Sequence, residues 1–447
     1  MDFLPHTDED VSTMLEVIGL DTLDDLFEPI PAAVRVDRDL DVGPALDELS
    51  LLRHLGDLAS RSKGAADLTC FAGGGAYDHH VPAAVRALAS RAEFATSYTP
   101  YQPELSQGVL QAIFEFQTAV CELYGMEAAN ASLYDGASAV VEAVNLAART
   151  TKRTRAIVGA TVHPHYVDVL RTYTSSLGFE IEMAPYGPNG TVSWATVDAT
   201  DAAAVVTAYP NFFGALEDVS TAAEVAHRAG ALCIAVTDPT AMGILEAPGA
   251  LGADVCVGEG QGIGNALAYG GPYVGLFATK LDLVRQVPGR IAGETLDADG
   301  RRAFVLTLQA REQHIRRAKA TSNVCTNQTL MAIAAAVHLA WLGPKGLERL
   351  GEICIRNTAL AADRLSAVPG CTVRFDGPRF KELVLQTPVE DAGELARRLA
   401  ERGYLVGPAL GRWYADLADC LLIAVTEKRT GEEIESLAEA VEKELAG

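Results

Sequence analysis

The sequence predicts an α/β fold in which a large, doubly wound and mostly parallel sheet is followed by a small C-terminal α+β domain. Between residues 156 and 280, short apolar runs alternate with segments of helical periodicity. Such alternation is typical of a parallel sheet with helices on both faces. After Leu347 the predicted order changes to one helix, two strands, a helix, a strand and a helix. The predicted divisions are a helical arm at 1–63, a large domain at 64–345 and a small domain at 346–447.

The first elements predicted along the chain are helices. Residues 7–10 and 21–24 are acidic segments with cap-forming residues that precede apolar side chains, so the arm is predicted to contain short helices. Residues 104–124 give the strongest helix prediction, because their apolar side chains recur at helical spacing and Gly125 follows them. An alanine-rich helix is predicted at 140–149.

The rest of the chain supplies the strands of both domains and the helices between them. Strands are predicted at 156–159, 179–183, 203–208, 232–236, 255–257, 274–277, 372–375, 383–386 and 421–425. Helices are predicted at 164–177, 220–229, 348–366, 392–402 and 432–444. Because ligands of open α/β sheets bind at the carboxyl ends of the strands, a site is expected at that edge.

Composition excludes several classes of partner. The formal net charge of the 447-residue chain is −23, so a nucleic acid or an anionic membrane is not expected to bind it. The eight cysteines are scattered and contain no CxxC pair, a pattern typical of buried thiols in a reducing compartment. Residues 1–10 are acidic and lack the basic and apolar segments of a signal peptide. We therefore expect a cytoplasmic protein.

One apolar segment is a candidate for a membrane-spanning helix. Residues 330–342 carry no formal charge, but they are too few to cross a bilayer and include His338. This segment is predicted to be a buried helix, and no membrane partner is expected.

The segment 258–272 is informative because of a residue type that it lacks. It follows an apolar run and leads into a second strand-like run, where an α/β enzyme using pyridoxal phosphate would be expected to carry its Schiff-base lysine. No lysine occurs between Lys152 and Lys280, so Gly262 and its neighbours offer no such nucleophile. If the fold prediction holds, the chain has the frame of a covalent-cofactor enzyme without its lysine.

Two acidic residues have both a functional and a structural interpretation. Asp135 and Gly136 open the helix at 140–149, where small residues expose N–H groups to an anion, although Asp135 would repel a phosphate and is equally well explained as a cap. Asp238 follows a strand and could pair with the ring nitrogen of a pyridine cofactor. Taken alone, the position is better explained as a turn residue before Pro239.

Three other polar segments also have both a functional and a structural interpretation. Residues 97–104 hold tyrosines, a threonine, a glutamine and a carboxylate on a proline-stiffened turn, which suits either recognition of a small ligand or plain loop packing. Residues 311–317 form a charged helix face that is usually solvated, or a local cationic cluster for a carboxylate or an acidic partner. His163 and His165 lack a third ligand at suitable spacing, so no metal site is predicted.

Several long motifs together resemble one family. They are Gly-Gly-Ala-Tyr-Asp-His at 74–79 and the segments 98–108, 111–118, 209–214, 258–262, 288–290, 305–317 and 319–328. The chain resembles subunit 1 of the two-chain glycine decarboxylase, the P-protein of the glycine cleavage system, from about residue 3 to the C-terminal lobe. His80 departs from the tyrosine expected after His79, which puts only that position in doubt.

The resemblance implies the pyridoxal-phosphate fold type I and a division of labour. The family enzyme decarboxylates glycine and passes the aminomethyl group to the lipoyl arm of the H-protein. In the two-chain form the cofactor lysine lies on subunit 2, and the subunits form an α2β2 heterotetramer. Pyridoxal phosphate is thus expected on the partner and not covalently bound to this chain.

The resemblance leaves this chain to supply walls and substrate-side groups, with no catalytic lysine of its own. The candidates for that substrate or interface role are Tyr98, Thr99, Tyr101, Gln102, Glu104, Arg290 and His314. The candidates for a vestigial cofactor pocket are Asp135, Gly136, Asp238 and Gly262. Two alternatives stay open: a self-sufficient pyridoxal enzyme using Lys280 or Lys319, and a non-catalytic scaffold subunit.

Overall fold

A computed structural model describes residues 5–36 and 38–446. Residues 1–4, which belong to the predicted arm, lie outside the described residues. The chain divides into two compact units, Met1–Ser62 and Lys63–Gly447.

The N-terminal unit consists of short helices, as its capping residues predict. Helix α1 spans Asp8–Ile18 and helix α2 spans Glu48–Ala59, with 3-10 turns at Leu23–Phe27 and Ala32–Val34 between them. Thr7 and Asp10 form a reciprocal capping box at the start of α1, which satisfies two backbone N–H groups.

The second unit contains the sheets. Its elements, in chain order, are β1 (Thr69–Ala72), α3 (Ala83–Ala89), α4 (Ala92–Ala95), α5 (Gln107–Tyr124), β2 (Ala128–Ala129), α6 (Gly136–Thr151), β3 (Arg155–Gly159), α7 (Pro164–Thr174), β4 (Glu180–Ala184), β5 (Ala202–Tyr209), α8 (Val219–Arg228), β6 (Leu232–Thr237), β7 (Val255–Glu259), β8 (Gly275–Thr279), β9 (Ile291–Leu296), β10 (Arg302–Thr307), α9 (Gln313–Arg316), α10 (Thr329–Ser366), β11 (Thr372–Val373), β12 (Glu382–Gln386), α11 (Ala392–Glu401), β13 (Tyr404–Gly407), β14 (Cys420–Ala424) and α12 (Gly431–Ala446).

The central sheet has seven strands in the order β2-β8-β7-β6-β5-β3-β4. Strand β8 runs antiparallel to both of its neighbours, and the remaining pairs are parallel. This confirms the prediction of a mostly parallel α/β sheet. All residues of β5 are buried, which explains why the strand is a nearly continuous apolar run without polar alternation.

Helices cover both faces of this sheet. On β5, Val205 belongs to a buried cluster that includes Val120 of α5 and Val225 of α8. Its neighbour Val206 points to the other face, into a cluster with Val144 of α6. Successive strand residues alternate between faces, so the two clusters show that the sheet is doubly wound.

The C-terminal lobe carries a second sheet. Strands β11, β12 and β14 form it in antiparallel pairs, and β1 pairs with β13 in a separate parallel ladder. The segment just before β12 is tied to the loop that follows β5 of the central sheet, because the Phe380 N–H donates to the Gly214 carbonyl at 2.9 Å. On the other side, the Val425 N–H, just after β14, donates to the Lys381 carbonyl at 2.7 Å. These two contacts hold the backbone around Lys381 between that loop and the end of β14.

Several predicted boundaries shift. Helix α5 begins at Gln107, later than the predicted residue 104, because Pro103–Leu105 forms a 3-10 turn. The hairpin of β9 and β10 was not predicted, since its strands include polar, exposed positions that break the apolar pattern. The short strands β1, β2 and β13 were missed as well, and such short strands give little periodicity to detect.

Helix α10 is the helix in the described part of the chain that is long and apolar enough, by length and composition alone, to cross a membrane. Its path is interrupted at Gly343, where φ is 59° and ψ is 179°, just before Pro344. The part before this break is shorter than the roughly 20 residues that a membrane span requires. Ile333 and His338 are buried, whereas Trp341 is exposed, so the predicted helix is present and buries one face.

All eight cysteines lie among the described residues and are free. Six are buried, Cys121 is half-buried and Cys325 is exposed. The prediction of mostly buried thiols without a disulfide framework is confirmed.

Candidate functional site

The candidate site lies at the carboxyl edge of the central sheet. Strand β6 ends there and is followed by Asp238, β7 ends with Glu259, and α6 begins there with Gly136. The C-terminal lobe adds Lys381 and Glu382 at the start of β12. Parallel strands that end together bring these distant segments of sequence to one place.

Asp238 is paired with a lysine that the sequence analysis did not single out. The Lys381 Nζ lies 2.6 Å from the Asp238 Oδ2, and the lysine side chain is 1% exposed. Burial alone raises the pKa of Asp238, but the charge and hydrogen bond of Lys381 lower it, and the net pKa lies below its usual value. Asp238 also caps the turn at Pro239–Gly243 by accepting the Thr240 N–H at 2.9 Å.

The Lys381 ammonium group is enclosed on its other sides. It lies 3.0 Å from the His79 Nε2 and 3.1 Å from the Thr240 Oγ1. It also lies 3.5 Å from the centre of the Tyr77 ring, within the range of a cation–π interaction. The backbone at Lys381 has φ of +25°, a left-handed value that costs a non-glycine residue free energy. No local pattern marks this position, because Lys381-Glu382 before an apolar run is typical of a solvated strand start.

The N-terminus of α6 is occupied by a carboxyl group of the chain itself. The Gly136 N–H donates to the Glu259 Oε2 at 3.0 Å. The N–H groups of Gln261 and Val274 donate to the Glu259 Oε1 at 3.0 and 3.1 Å. Asp135 acts as the cap, accepting the Ser138 N–H at 2.7 Å. The contacts of Asp135 are therefore those of a helix cap. The Glu259 carboxyl group occupies the position at the helix start where an anion could bind.

Glu382 fixes the glycine-rich segment that follows β1. Its carboxyl group accepts the Gly74 N–H at 2.8 Å and the Tyr77 hydroxyl at 2.9 Å. A side chain at Gly73 would place its Cβ 2.3 Å from the Glu382 Oε1, so glycine is required there. Burial raises the pKa of Glu382 to about 7, although the Gly74 N–H and Lys381 oppose the rise.

Gly262, at the position where a cofactor lysine would be expected, faces His79. A Cβ at Gly262 would lie 3.1 Å from the His79 Cδ2 and 3.2 Å from the Thr240 Cγ2, which leaves little room for a side chain. His79 is held in turn by Glu427, with 2.6 Å between the His79 Nδ1 and the Glu427 Oε2. Because Lys381 donates to the Nε2, the Nδ1 carries the proton that faces Glu427.

These residues leave no room for pyridoxal phosphate. A cavity of about 60 Å³ is lined by Tyr77, Asp238, Glu259 and Glu382. Lys381 contacts Asp238, and His79 contacts Lys381. These six residues are here called the closed pocket. Small-molecule sites usually measure about 300 to 1,000 Å³. The carboxylate suited to the ring nitrogen is paired with Lys381, and the N–H group suited to the phosphate is bonded to Glu259. The residues present therefore do not fit the cofactor.

A second polar cluster is open to solvent. Tyr101, Arg290 and His314, here called the Arg290 cluster, come together from three distant segments. The Tyr101 ring centre lies 5.5 Å from the Arg290 guanidinium carbon and 5.6 Å from the centre of the His314 ring. The Tyr101 side chain is 50% exposed, whereas Arg290 is 4% exposed. The cluster thus offers a buried cation beneath an accessible tyrosine.

The segment before α10 anchors Arg290 and joins the Arg290 cluster to the loop before α6. Arg290 donates to the Cys325 carbonyl at 2.6 Å and to the Asn327 side chain at 3.2 Å. The Asn327 amide donates in turn to the Ala131 carbonyl and the Ser132 hydroxyl. Ser132 lies just before the helix start that holds Glu259.

The other candidates on the 97–104 turn are not joined to this cluster. Among residues 5–36 and 38–446, the side chains of Tyr98, Gln102 and Glu104 form no hydrogen bond or ion pair, and all three are exposed. Thr99 is half-buried, and its hydroxyl has no hydrogen-bond partner in the described part of the chain.

The segment 311–317 differs from the solvated face considered in the sequence analysis. Arg311 and Glu312 are buried at 8% and 5% exposure. Arg311 donates to the Val287 carbonyl, so this cation serves packing between segments. The stretch forms only a short 3-10 turn and the brief helix α9, and residues 314–317 are exposed as a solvated charged face would be.

Of the two alternative lysines, Lys280 lies away from the carboxyl edge. Lys280 follows β8, which runs antiparallel to β7, so it emerges at the opposite edge of the sheet. Its Nζ pairs there with Asp254, which precedes β7. Lys319 lies in the short 3-10 turn Arg317–Lys319.

Comparison with known proteins gives one consistent result. A family model described as glycine cleavage system P-protein matches residues 1–441. A Desulforamulus reducens protein named probable glycine dehydrogenase (decarboxylating) subunit 1 is 49% identical over 98% of both chains. The Moorella thermoacetica protein of the same name is 47% identical over the whole of both chains.

Solved structures agree with these matches. A crystal structure of glycine decarboxylase (P-protein) of the glycine cleavage system, in an inhibitor-bound form, superposes with a TM-score of 0.90. The two sequences are 44% identical, and the match covers 99% of this chain and 100% of the solved chain. A sphingosine-1-phosphate lyase from Burkholderia pseudomallei superposes with a TM-score of 0.65 at 17% identity, over 93% of this chain and 95% of the lyase, which is a likeness of fold alone. The fold is the pyridoxal-phosphate fold type I.

Proposed function

The chain belongs to the glycine cleavage system P-protein family, and from that membership we propose that it is the lysine-less subunit of a two-subunit glycine decarboxylase. With its partner it decarboxylates glycine, releases CO2 and transfers the aminomethyl group to the lipoyl arm of the H-protein. The partner subunit carries the pyridoxal phosphate. The subunits assemble as an α2β2 heterotetramer, and the enzyme works in the cytoplasm.

One observation carries this proposal. The chain matches proteins named subunit 1 over its full length, yet its own cofactor-like pocket is closed by Lys381 and Glu259. Loss of CO2 from glycine leaves a carbanion that needs an electron sink, which in this chemistry is a pyridine ring. This chain offers no room for that ring, so the sink belongs to the partner.

The Arg290 cluster is the part of this chain that we propose to act on the reaction. A guanidinium group is suited to hold a carboxylate, and Tyr101 and His314 can orient a small amino acid by hydrogen bonds. The turn that carries Tyr98, Thr99, Gln102 and Glu104 lies next to Tyr101 in sequence. We propose that this turn and the Arg290 cluster face the partner's pocket and position glycine there.

Reconstitution tests the proposal. The isolated chain, the isolated partner and their mixture are assayed for exchange of the glycine carboxyl carbon with bicarbonate, and for aldimine absorbance. We expect no absorbance and no exchange from this chain alone, and both from the mixture. Strong exchange by the isolated chain would contradict the proposal.

The alternative functions give different results in the same assay. A self-sufficient pyridoxal enzyme would show aldimine absorbance without the partner, and borohydride reduction with peptide mapping would find the modified lysine. A scaffold subunit would restore exchange equally well when Tyr101 or Arg290 is replaced. Loss of exchange in an assembled complex with either substitution would exclude the scaffold.

A further inference from the structure

Glu259 and Lys381 are buried side chains that take no part in the proposed reaction, although the proposed function rests on the pocket that they close. We propose that they replace the two charged ends of a pyridoxal-type cofactor inside this chain. The Glu259 carboxyl group takes the place of a phosphate at the start of α6, and the Lys381 ammonium group takes the place of a protonated ring nitrogen beside Asp238. The pocket is thus filled by the chain's own groups, and this subunit folds without a ligand.

The Glu259 carboxyl group is hydrogen-bonded as the acceptor oxygens of a phosphate would be. Its two oxygens accept N–H groups from Gly136, Gln261 and Val274 at 3.0 to 3.1 Å. Gly136 is the first residue of a sixteen-residue helix, whose partial positive charge favours an anion. A Cβ at Gly136 would lie 3.0 Å from the Glu259 Cβ, so glycine permits this close approach.

The contacts of Lys381 are those of a cationic N–H donor. Its Nζ lies 2.6 Å from the Asp238 Oδ2, a carboxylate at the carboxyl end of β6. The backbone of the residue that carries this ammonium group has a strained φ of +25°. Two independent elements, β7 and the start of β12, therefore fill the two recognition points of one pocket.

The anion half of the proposal is tested with inorganic phosphate. The full-length Glu259→Ala variant is melted with and without phosphate, next to the wild type. Removal of the carboxyl group frees three N–H groups, of which that of Gly136 is at the start of α6 and those of Gln261 and Val274 are beside it, so we expect phosphate to raise the melting temperature of the variant by several degrees. We expect no shift for the wild type.

Glu142→Ala is the matched control. Glu142 is also buried and lies on α6, but it does not accept an N–H group from the helix start. A phosphate shift in Glu259→Ala that is absent from Glu142→Ala supports the proposal. An equal shift in both variants, or no shift in Glu259→Ala, overturns it.

The ring-nitrogen half is tested with pyridoxamine 5′-phosphate, which needs no Schiff-base lysine. The variant Glu259→Ala/Lys381→Ala is expected to bind this probe at least about tenfold more tightly than Glu259→Ala does, because Asp238 regains a charged partner. If the double variant fails to fold, recovery of folded protein in pyridoxamine phosphate but not in phosphate supports the proposal, and no recovery overturns it. None of these measurements uses glycine or the partner, so their failure is distinct from failure of the proposed function.

Discussion

The closed pocket and the Arg290 cluster are both polar, yet they differ in how their charges are satisfied. In the closed pocket, Lys381, Asp238 and Glu259 are buried and bonded to groups of the same chain. In the Arg290 cluster, the cation is buried but the tyrosine above it is half exposed. The polar groups of the first region are bonded within the chain, whereas the second exposes the Tyr101 ring to solvent.

This difference separates stability from function. A buried charge costs several kcal/mol unless it is paired, so residues of the closed pocket should be tested by unfolding. An exposed tyrosine over a guanidinium contributes little to folding, so residues of the Arg290 cluster should be tested in the assembled enzyme.

The largest effect is expected from Lys381→Met. Methionine keeps much of the side-chain volume but leaves the buried Asp238 carboxylate without its cation. We expect the free energy of unfolding, measured by urea denaturation of the isolated chain, to fall by about 3–5 kcal/mol.

The control for this prediction is the double variant Asp238→Asn/Lys381→Met. It removes both charges, and we expect it to recover most of the lost stability, since neutral groups of similar volume replace an ion pair at small cost. A single variant as stable as the wild type would mean that the pair does not maintain the closed pocket.

The next effect concerns activity. We expect Arg290→Ala to lower glycine–bicarbonate exchange of the assembled enzyme by about 10- to 100-fold, because glycine loses a positioning charge. Size-exclusion chromatography with the partner should show the complex still formed. Arg301→Ala is the matched control, since Arg301 is an exposed arginine paired only with Asp299. Equal loss in both variants would point to a general charge effect.

The main architecture could be predicted from the sequence because it depends on local patterns. The fully apolar run of β5 and the cap at Thr7 are written in adjacent residues. The missing lysine near Gly262 could be read in the same way. Asp238 could be identified as a candidate, since a carboxylate after a strand is a local feature.

Lys381 and Glu259 could not be predicted, because their roles depend on contacts across the chain. Lys381 reaches Asp238 from 143 residues away in sequence, and nothing beside it marks a buried cation. Glu259 lies in the segment 258–262 that resembles the family, yet its bond to Gly136 joins a strand end to a helix start that only the fold brings together. Arg290 and Tyr101 were named separately, and only their contact in the fold makes them one cluster.

A smaller effect is expected in the pH dependence of stability. Burial raises the pKa of Glu259 to about 8, although the Gly136 and Val274 N–H groups oppose the rise, and burial raises the pKa of Glu382 to about 7. The folded chain then holds protons that the unfolded chain releases above pH 4.5, so these groups make stability fall as pH rises toward 8. Buried His163, whose pKa is lowered to about 4 by burial, acts in the opposite direction up to pH 6.5.

The interval from pH 6.5 to 8 therefore isolates the two carboxyl groups. We expect the free energy of unfolding to decrease there by at most about 1.4 kcal/mol per pH unit for each group. In Glu259→Gln the decrease should be smaller, because one titrating group is gone. An unchanged slope in urea unfolding at several pH values would show that Glu259 is already ionised at neutral pH, held so by its three N–H donors.

The smallest effect on stability is expected from Tyr98→Ala. Tyr98 is 82% exposed, and its side chain forms no hydrogen bond among the described residues, so the free energy of unfolding of the isolated chain should stay within about 0.5 kcal/mol of the wild type. Tyr98→Ala therefore tests whether the 97–104 turn, as well as the Arg290 cluster, contacts the partner. If Tyr98→Ala weakens binding of the partner or lowers exchange while stability is unchanged, the turn contacts the partner. If neither assembly nor exchange changes, the groups of this chain that act on glycine are limited to the Arg290 cluster. The contrast with the closed pocket then applies to that cluster and not to the 97–104 turn.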